Sequence, residues 1–547
     1  MPDIDIYDLK SIRLDKQPRP DQITLTDFTK KSILNNMKYI LIDAPVGIGK
    51  SVYAIMFMDW FKREYDISAQ FDLLTNSKIL QEQYTNEFDF INSLWGKGSY
   101  ECEKFKTDCG TGSEFARIQK SKCENCPYSI AKFRFEKGDV ALTNFHLFLT
   151  YMCYMPMAWK RSSRVLIIDE AHDFESVFCD FITTKVSKNI LKRNGLTDDE
   201  VVNAMNCFGY EPENLTIQQF VDIISGSFLD IIKSTITRLN REAEDGSMES
   251  LKFLQSLSNH FLKWQTLSEE YEKFPHNWIL EAELIKRYGK DNKKITDQYW
   301  EMTAQPVWAY PYLYEKIWSR YDYVIFMSGT ILDKELFCQM NALEPNDSAY
   351  ISLDSPFPVE NRPIFYFHKT GKQTYKTKEI TWGAQLPVLK KILKKHKNEK
   401  GIIHTANYEI QSWVTRDINE SRILSHDSTN RSEFLQQHYN SKEPTVLCSP
   451  SMHVGVDLKD DYSRHQTILK VPYPNLGSKK IKQRMETMKE YYPLTTVRDL
   501  VQSYGRSVRS MTDTANTYIL DSCFGDVLKW SGKYIPNWVK KAIQYVE

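Results

Sequence analysis

Ala44-Pro45-Val46-Gly47-Ile48-Gly49-Lys50-Ser51 is the stretch whose reading decides the fold of this chain. It follows a short apolar run, Tyr39-Ile40-Leu41-Ile42, which predicts a buried parallel strand. It precedes Val52 to Arg63, where the apolar spacing predicts a helix. A strand, a glycine-containing turn and a helix form the setting in which a loop binds a phosphate chain. Gly47 and Gly49 let the backbone curl so that successive N–H groups point inward. Lys50 reaches the β- and γ-phosphates, and the Ser51 hydroxyl ligates Mg2+. The pattern is GxxxxGK[ST] with Ala44 in place of the first glycine, and Ile48 is bulky for its position. The alternative is a glycine turn before a helix with an incidental lysine.

The chain has 547 residues, 41% hydrophobic, 26% charged and 13% aromatic. That length predicts several globular domains. No run of 18 apolar residues exists, so no membrane span and no membrane partner is expected. The start, Met1-Pro2-Asp3-Ile4-Asp5, is acidic and lacks a signal-peptide pattern, which predicts a cytoplasmic protein. The 71 basic and 71 acidic residues cancel, so any basic track for nucleic acid must be local. Lys390 to Lys400 and Lys479 to Lys489 are candidates, with a solvated helix face as the alternative. Ten cysteines in so long a chain do not make a disulfide scaffold. Cys102, Cys109, Cys123 and Cys126 nevertheless fall within 25 residues, and the other six are scattered.

Further along, Phe71 to Thr75 predicts a strand and Lys78 to Phe88 a helix. Residues 96 to 127 lose periodicity and hold the clustered cysteines, as an insertion would. Val165-Leu166-Ile167-Ile168 is the clearest buried strand and ends in Asp169-Glu170-Ala171-His172, the position where α/β folds place their ligands. From Lys185 to Asp297 the pattern is helical, without a strong strand. Tyr323 to Met327 is strand-like and ends in Ser328-Gly329-Thr330. A second α/β unit follows, with strands at Ile364 to Phe367, Gly401 to His404, Thr445 to Cys448, Gln466 to Val471 and Thr517 to Leu520, and a helix over Thr496 to Arg509.

A phosphate loop and an acidic strand end make two halves of a nucleotide-hydrolysing site. Asp169 would hold Mg2+ through water, and Glu170 would orient and deprotonate the attacking water. Taken alone, Asp-Glu after a strand also reads as a helix cap. Hydrolysis needs a cation on the γ-phosphate as well. Gln502, Arg506 and Arg509 are spaced i, i+4, i+7, which on one helix gives a shared polar face while Leu500, Val501, Tyr504 and Val508 pack inward. An amphipathic surface helix gives the same spacing. Arginines from the second unit would reach across a cleft, so that nucleotide binding controls its closure.

The ordered set A-P-V-G-I-G-K-S, D-E-A-H, S-G-T and Q-S-Y-G-R-S-V-R resembles a superfamily 2 helicase. Gly98-Ser99-Tyr100-Glu101-Cys102, Cys123-Glu124-Asn125-Cys126-Pro127-Tyr128 and Leu142-Thr143-Asn144-Phe145-His146-Leu147 narrow the resemblance to the iron–sulfur DNA helicases of the XPD/DinG type. The resemblance covers nearly the whole chain. It implies an α/β fold of two RecA-like P-loop lobes. Lobe one (1–95, 140–182 and 298–335) carries a four-cysteine iron–sulfur cluster domain (96–139) and an α-helical arch (183–297), and lobe two covers 336–547. The resemblance also implies that Arg19 and Gln22 read the adenine, and that Gly47, Gly49, Lys50, Ser51, Gly455 and Asp457 bind ATP. Asp169 and Glu170 become the Mg2+ and water-activating pair, and Gln502, Arg506 and Arg509 the second-lobe catalytic set. His172, Ser328 and Thr330 are implied to couple hydrolysis to DNA movement, and Thr75, Asn76, Asn144 and His146 to touch single-stranded DNA.

Val454 stands where the family has glutamate, and the cysteine spacing C-x6-C-x13-C-x2-C is compact. Four thiolates suit a [4Fe–4S] cluster or tetrahedral Zn2+; spacing alone favours zinc, the resemblance favours the cluster, and unbound cysteines are a third reading. The expectation is an ATP-dependent helicase that moves 5′→3′ along single-stranded DNA and opens forked or tailed duplexes in repair or replication. Its compactness fits a minimal viral or mobile-element helicase acting in the host cytoplasm. The rival expectations are a DEAH-type RNA helicase and a non-unwinding ATP-switched DNA clamp.

Overall fold

A computed structural model describes residues 17–121, 123, 125–288, 295–427, 429–451, 458 and 460–547. Two seven-stranded sheets organise them. The first runs Ser348–Ser352, Tyr39–Asp43, Tyr323–Ser328, Val165–Asp169, Phe71–Thr75, Val140–Asn144, Asn92–Ser93, parallel throughout. Its central strands, over residues 39–42, 165–168 and 323–327, read as unbroken apolar runs because they are buried on both faces. Leu166 and Ile168 enter one core cluster, Val165 and Ile167 the other, as the two-residue period of a strand requires. The register places Asp43 beside Ser328, Met327 beside Asp169, and Thr75 beside Asn144. The motif-bearing strand ends therefore open on one edge of the sheet.

The second sheet runs Ile423–Ser425, Val446–Ser449, Gly401–His404, His465–Ile468, Asn516–Ile519, Ile364–Phe367, Ile543–Val546, again parallel. The two sheets are the two RecA-like lobes. Among the described residues no helix is long and apolar enough to cross a membrane.

Two segments leave the first lobe. One holds a short hairpin, Glu101–Cys102 with Thr107–Asp108, and the helices Cys109–Ile118 and Pro127–Lys137. The other holds the helices Lys188–Arg193, Asp198–Asn206, Leu229–Glu244 and Met248–Lys273. The two insertions touch. The Thr111 hydroxyl lies 3.1 Å from Gln255 Oε1, and Arg117 donates to Asn240 at 2.9 Å.

Three expectations need correction. The block over 183–297 is not purely helical. It ends in a long antiparallel pair, Trp278–Tyr288 with Ile295–Pro306, flanked by Thr184–Ser187. This hairpin straddles the expected boundary at 297. Its strands are mostly half-exposed and polar, with Met302 and Ala304 turned inward, so they carry little of the apolar signal of a buried strand. The first lobe also extends past 335, because Ser348–Ser352 adds to its edge beside Tyr39–Asp43. Finally, the helix expected over Thr496 to Arg509 runs Tyr491–Tyr504 and stops at Gly505. Arg506 and Arg509 lie in the turn beyond it and do not share a helix face with Gln502.

Candidate nucleotide and coupling site

The phosphate loop connects the Tyr39–Asp43 strand to the helix Lys50–Trp60. Gly47 and Gly49 have φ of +92° and +85°, the left-handed region that side chains resist. A Cβ on Gly47 would lie 2.0 Å from the Phe357 ring, and one on Gly49 would meet Gln22 at 2.3 Å. Both glycines are therefore required by conformation and by space. Gln22 donates to the Ile48 carbonyl at 3.1 Å, and Arg19 donates to the Gly47 carbonyl at 2.5 Å. In this state the two residues brace the loop from the helix Pro20–Leu34. Lys50 Nζ donates to the Ala44 carbonyl at 3.1 Å, folded over the loop it would leave for a phosphate. Ser51 is half-buried at the start of the helix.

Asp169 ends its strand almost fully buried. Burial and the charge of Glu170 raise its pKa to about 6, against the pull of Lys50. A carboxylate so desolvated, with a second carboxylate beside it, is a ready cation site. Glu170 adopts φ +53°, a strained conformation for a residue with a side chain. Burial opposes its ionisation, but His172, Lys50 and Arg506 outweigh it and hold Glu170 below the usual carboxylate range. The two neighbouring acids are thus shifted in opposite directions, Asp169 upward and Glu170 downward.

A chain of contacts leads from these acids to the second lobe. His172 Nδ1 lies 3.4 Å from Glu170 Oε2 and 2.9 Å from the Ser328 hydroxyl. Ser328 Oγ accepts the Thr330 N–H at 3.0 Å. Gln502 then donates to Thr330 Oγ1 at 2.8 Å, and Arg506 donates to Gln502 Oε1 at 3.1 Å. The cleft between the lobes is lined by Lys50, Glu170, Thr330, Gln502, Arg506 and Arg509 among others. Gly455 and Asp457, and with them Val454, lie outside the described residues.

Three of the four residues expected at DNA make hydrogen bonds within the lobe. Thr75 is fully buried and donates to the Ser77 carbonyl, while Asn76 donates to Asp173 at 2.9 Å. Asn144 caps the helix Phe145–Leu149 through Leu147 N and also donates to Gln81. His146 is exposed and packs edge-on against Phe181. Cys109 Sγ lies 3.7 Å from Cys126 Sγ, and Cys123 faces Cys102. Burial and Cys126 push the Cys109 thiol up to about 12. Among the described residues no three ligating side chains converge as they would around a single ion.

Several site residues carry no sequence signal of their own. Asp43 is a buried carboxylate that accepts the Ile331 and Leu332 N–H groups and the Tyr350 hydroxyl. It ties the strand feeding the phosphate loop to the segment after Ser328-Gly329-Thr330. Tyr84 donates to Asp169 Oδ2 at 3.0 Å. Glu175 and Arg484, 309 positions apart, form a buried ion pair between the lobes.

This is a two-lobed P-loop architecture, and the comparisons with known proteins agree. Residues 389–542 match the helicase C-terminal domain family, and 15–194 match the family of the type III restriction enzyme res subunit. The ATP-dependent DNA helicase CHL1 of Vanderwaltozyma polyspora is 25% identical over 165 residues. That match covers 25% of this chain and spans only 20% of the relative's length. Among solved structures, one titled XPD helicase superposes with a TM-score of 0.66 at 15% identity, over 98% of this chain and all (100%) of that one. An apo XPD structure gives 0.63 at 14%, over 96% and 100%. The S. tokodaii Xpd4 structure gives 0.57 at 14%, over 97% and 100%. The chain thus carries a helicase C-terminal domain match in lobe two and a restriction-enzyme res-subunit match in lobe one, and its fold is that of the XPD structures.

Proposed function

We propose that this chain is an ATP-dependent DNA helicase that hydrolyses ATP between its lobes to move along single-stranded DNA. The observation that carries the reading is the path Glu170–His172–Ser328–Thr330–Gln502–Arg506, which joins the candidate water-activating acid to a cation of the other lobe.

Lys50 leaves the Ala44 carbonyl to meet the β- and γ-phosphates, while the N–H groups of the loop cradle them. Arg19 and Gln22, next to the loop, take the adenine. By the resemblance, Gly455 and Asp457 would add to ATP binding. Ser51 and Asp169 would hold Mg2+, which supplies charge neutralisation on the phosphates. Glu170, kept ionised by its cationic neighbours, accepts the proton of the attacking water. Arg506 and Arg509 neutralise charge on the γ-phosphate, and Gln502 keeps Arg506 oriented. Loss of the γ-phosphate then releases the arginines, and the Thr330–Gln502 contact passes that change to lobe one.

The resemblance supports 5′→3′ movement, with Thr75, Asn76, Asn144 and His146 in the segments that meet single-stranded DNA. The segment 96–139 is then the cluster domain. Cys102, Cys109, Cys123 and Cys126 have the donor chemistry for [4Fe–4S], with Zn2+ the other four-thiolate option. Such a group would pin an insertion too small to form its own core. The helical insertion that touches it is the arch, and together they give the duplex a wall to split against. The protein acts in the cytoplasm on forked or tailed DNA.

Unwinding of duplexes with a 5′ or a 3′ tail tests the reading. Opening from a 5′ tail with ATP supports it. Opening only from a 3′ tail, or only of RNA duplexes, contradicts its polarity or its substrate.

A further inference from the structure

The helix Lys78–Glu87 starts at the Ser77 cap, directly after Thr75 and Asn76. Most of it is polar and exposed. Only Gln81 and Tyr84 are buried within it, one turn apart on one face. Both use their polar atoms. Gln81 accepts from Asn144 Nδ2 at 3.0 Å, and the Tyr84 hydroxyl donates to Asp169 Oδ2 at 3.0 Å. Just ahead of the helix, Asn76 donates to Asp173 at 2.9 Å. One helix thus touches both segments expected at DNA and the acidic segment of the nucleotide site.

Packing alone does not ask for tyrosine at this position. The ring sits in the apolar cluster of lobe one, 3% exposed and 6.4 Å from the Phe88 ring, where phenylalanine or leucine would fill the same space. The hydroxyl is the added feature, and its partner is the candidate Mg2+ carboxylate. Asp169 Oδ1 already accepts the Glu170 N–H at 3.0 Å. With Tyr84 on Oδ2 the carboxylate is held at both oxygens, so its plane is set by the helix that carries Tyr84. A hydrogen bond to a charged oxygen in a dry interior is among the stronger ones.

We infer that Tyr84 is a positioning residue: it orients the Asp169 carboxylate for the metal and links that orientation, through the helix Lys78–Glu87, to the segments that meet single-stranded DNA. The inference rests on the reading of Asp169 as the Mg2+ carboxylate. Displacement of Asn76 or Asn144 by a bound strand would shift the helix and, through Tyr84, the carboxylate. Hydrolysis would then respond to DNA from within lobe one, in parallel with the path through Thr330 and Gln502.

The test is a Mg2+ titration of ATP hydrolysis by the full chain, with and without single-stranded DNA, for wild type and Tyr84→Phe. Phenylalanine keeps the ring and removes only the donor. The half-saturating Mg2+ concentration should rise roughly tenfold, and stimulation by DNA should fall by a similar factor. Binding of a fluorescent ATP analogue in the absence of Mg2+ should not change. Tyr84→Leu, with an apolar plug in the same place, should show the same metal defect even if its melting temperature falls. A Mg2+ curve and a DNA stimulation equal to wild type in either variant would overturn the inference. Asp169→Asn separates the levels: if it still hydrolyses ATP the site reading itself fails, whereas its inactivity beside a normal Tyr84→Phe removes only the role given to Tyr84.

Discussion

Arg484 of the second lobe places its guanidinium on the Glu175 carboxylate of the first, at 2.8 and 3.1 Å, with both side chains almost wholly buried. The same guanidinium donates to the Val307 carbonyl and lies over the Trp308 ring at 4.5 Å. Glu175 also accepts the Ala309 N–H. One ion pair therefore pins lobe one, lobe two and the strand returning from the helical insertion. A buried pair is costly to break from one side, because the abandoned charge stays in a dry site. Arg484→Ala should destabilise the protein by about 3–5 kcal/mol. Arg484→Met, which keeps the volume, should lose about as much while Glu175 remains, and far less when combined with Glu175→Gln. Denaturant unfolding of wild type, Arg484→Met, Glu175→Gln and the double variant checks this, and additive losses would show that the two residues are not coupled.

The contact between Thr330 and Gln502 crosses the cleft where the proposed movement would occur. Thr330→Val keeps the shape and removes the oxygen that accepts from Gln502. Binding of ATP should be unchanged, since neither atom lies in the phosphate loop. Hydrolysis stimulated by DNA should fall about tenfold, as expected for a hydrogen bond worth about 1 to 1.5 kcal/mol. Steady-state hydrolysis against ATP and DNA concentration separates the two effects.

Acid should weaken the second lobe. His438 is fully buried, and burial with help from Lys400 lowers its pKa from 6.5 to about 4. His465, buried and stacked on His396, is lowered to about 3, first by burial and then by His396 and Arg422. The unfolded chain takes up these protons near pH 6.5 and the folded chain does not. Stability is thus fully present above about pH 6.5 and is lost as pH falls toward 4. His438 alone accounts for about 3 kcal/mol over that window. Unfolding at a series of pH values should show the loss. A stability that is flat between pH 6.5 and 4.5 would contradict it.

Cys109 and Cys126 stand 3.7 Å apart with Cys102 and Cys123 beside them. If the four hold [4Fe–4S], protein purified without oxygen should be brown and contain iron, and Cys109→Ser should lose both. A colourless protein that carries zinc would assign the same thiols to Zn2+.

The parallel strands were legible because a strand buried on both faces must be apolar at every position, as in Val165 to Ile168. The phosphate loop and Asp169-Glu170 were legible because their chemistry needs fixed residue types at fixed spacing. The hairpin Trp278–Tyr288 with Ile295–Pro306 was not, because its strands are half-exposed and polar enough to pass for helix. The helix before Arg506 looked longer than it is because Gly505 and the turn after it keep a helical apolar spacing while the backbone ends the helix. Asp43, Tyr84 and the Glu175–Arg484 pair leave no local pattern, since each gains its meaning from a partner distant in the chain.

The central claim is that ATP is hydrolysed between the lobes, by a phosphate loop on one side and arginines on the other. Hydrolysis of ATP in the presence of single-stranded DNA, compared for wild type, Lys50→Ala and Arg506→Ala, tests it most directly. The account predicts robust hydrolysis by the wild type, none by Lys50→Ala, and a loss of at least about a hundredfold in Arg506→Ala with ATP still bound. Wild-type turnover in Arg506→Ala would contradict it.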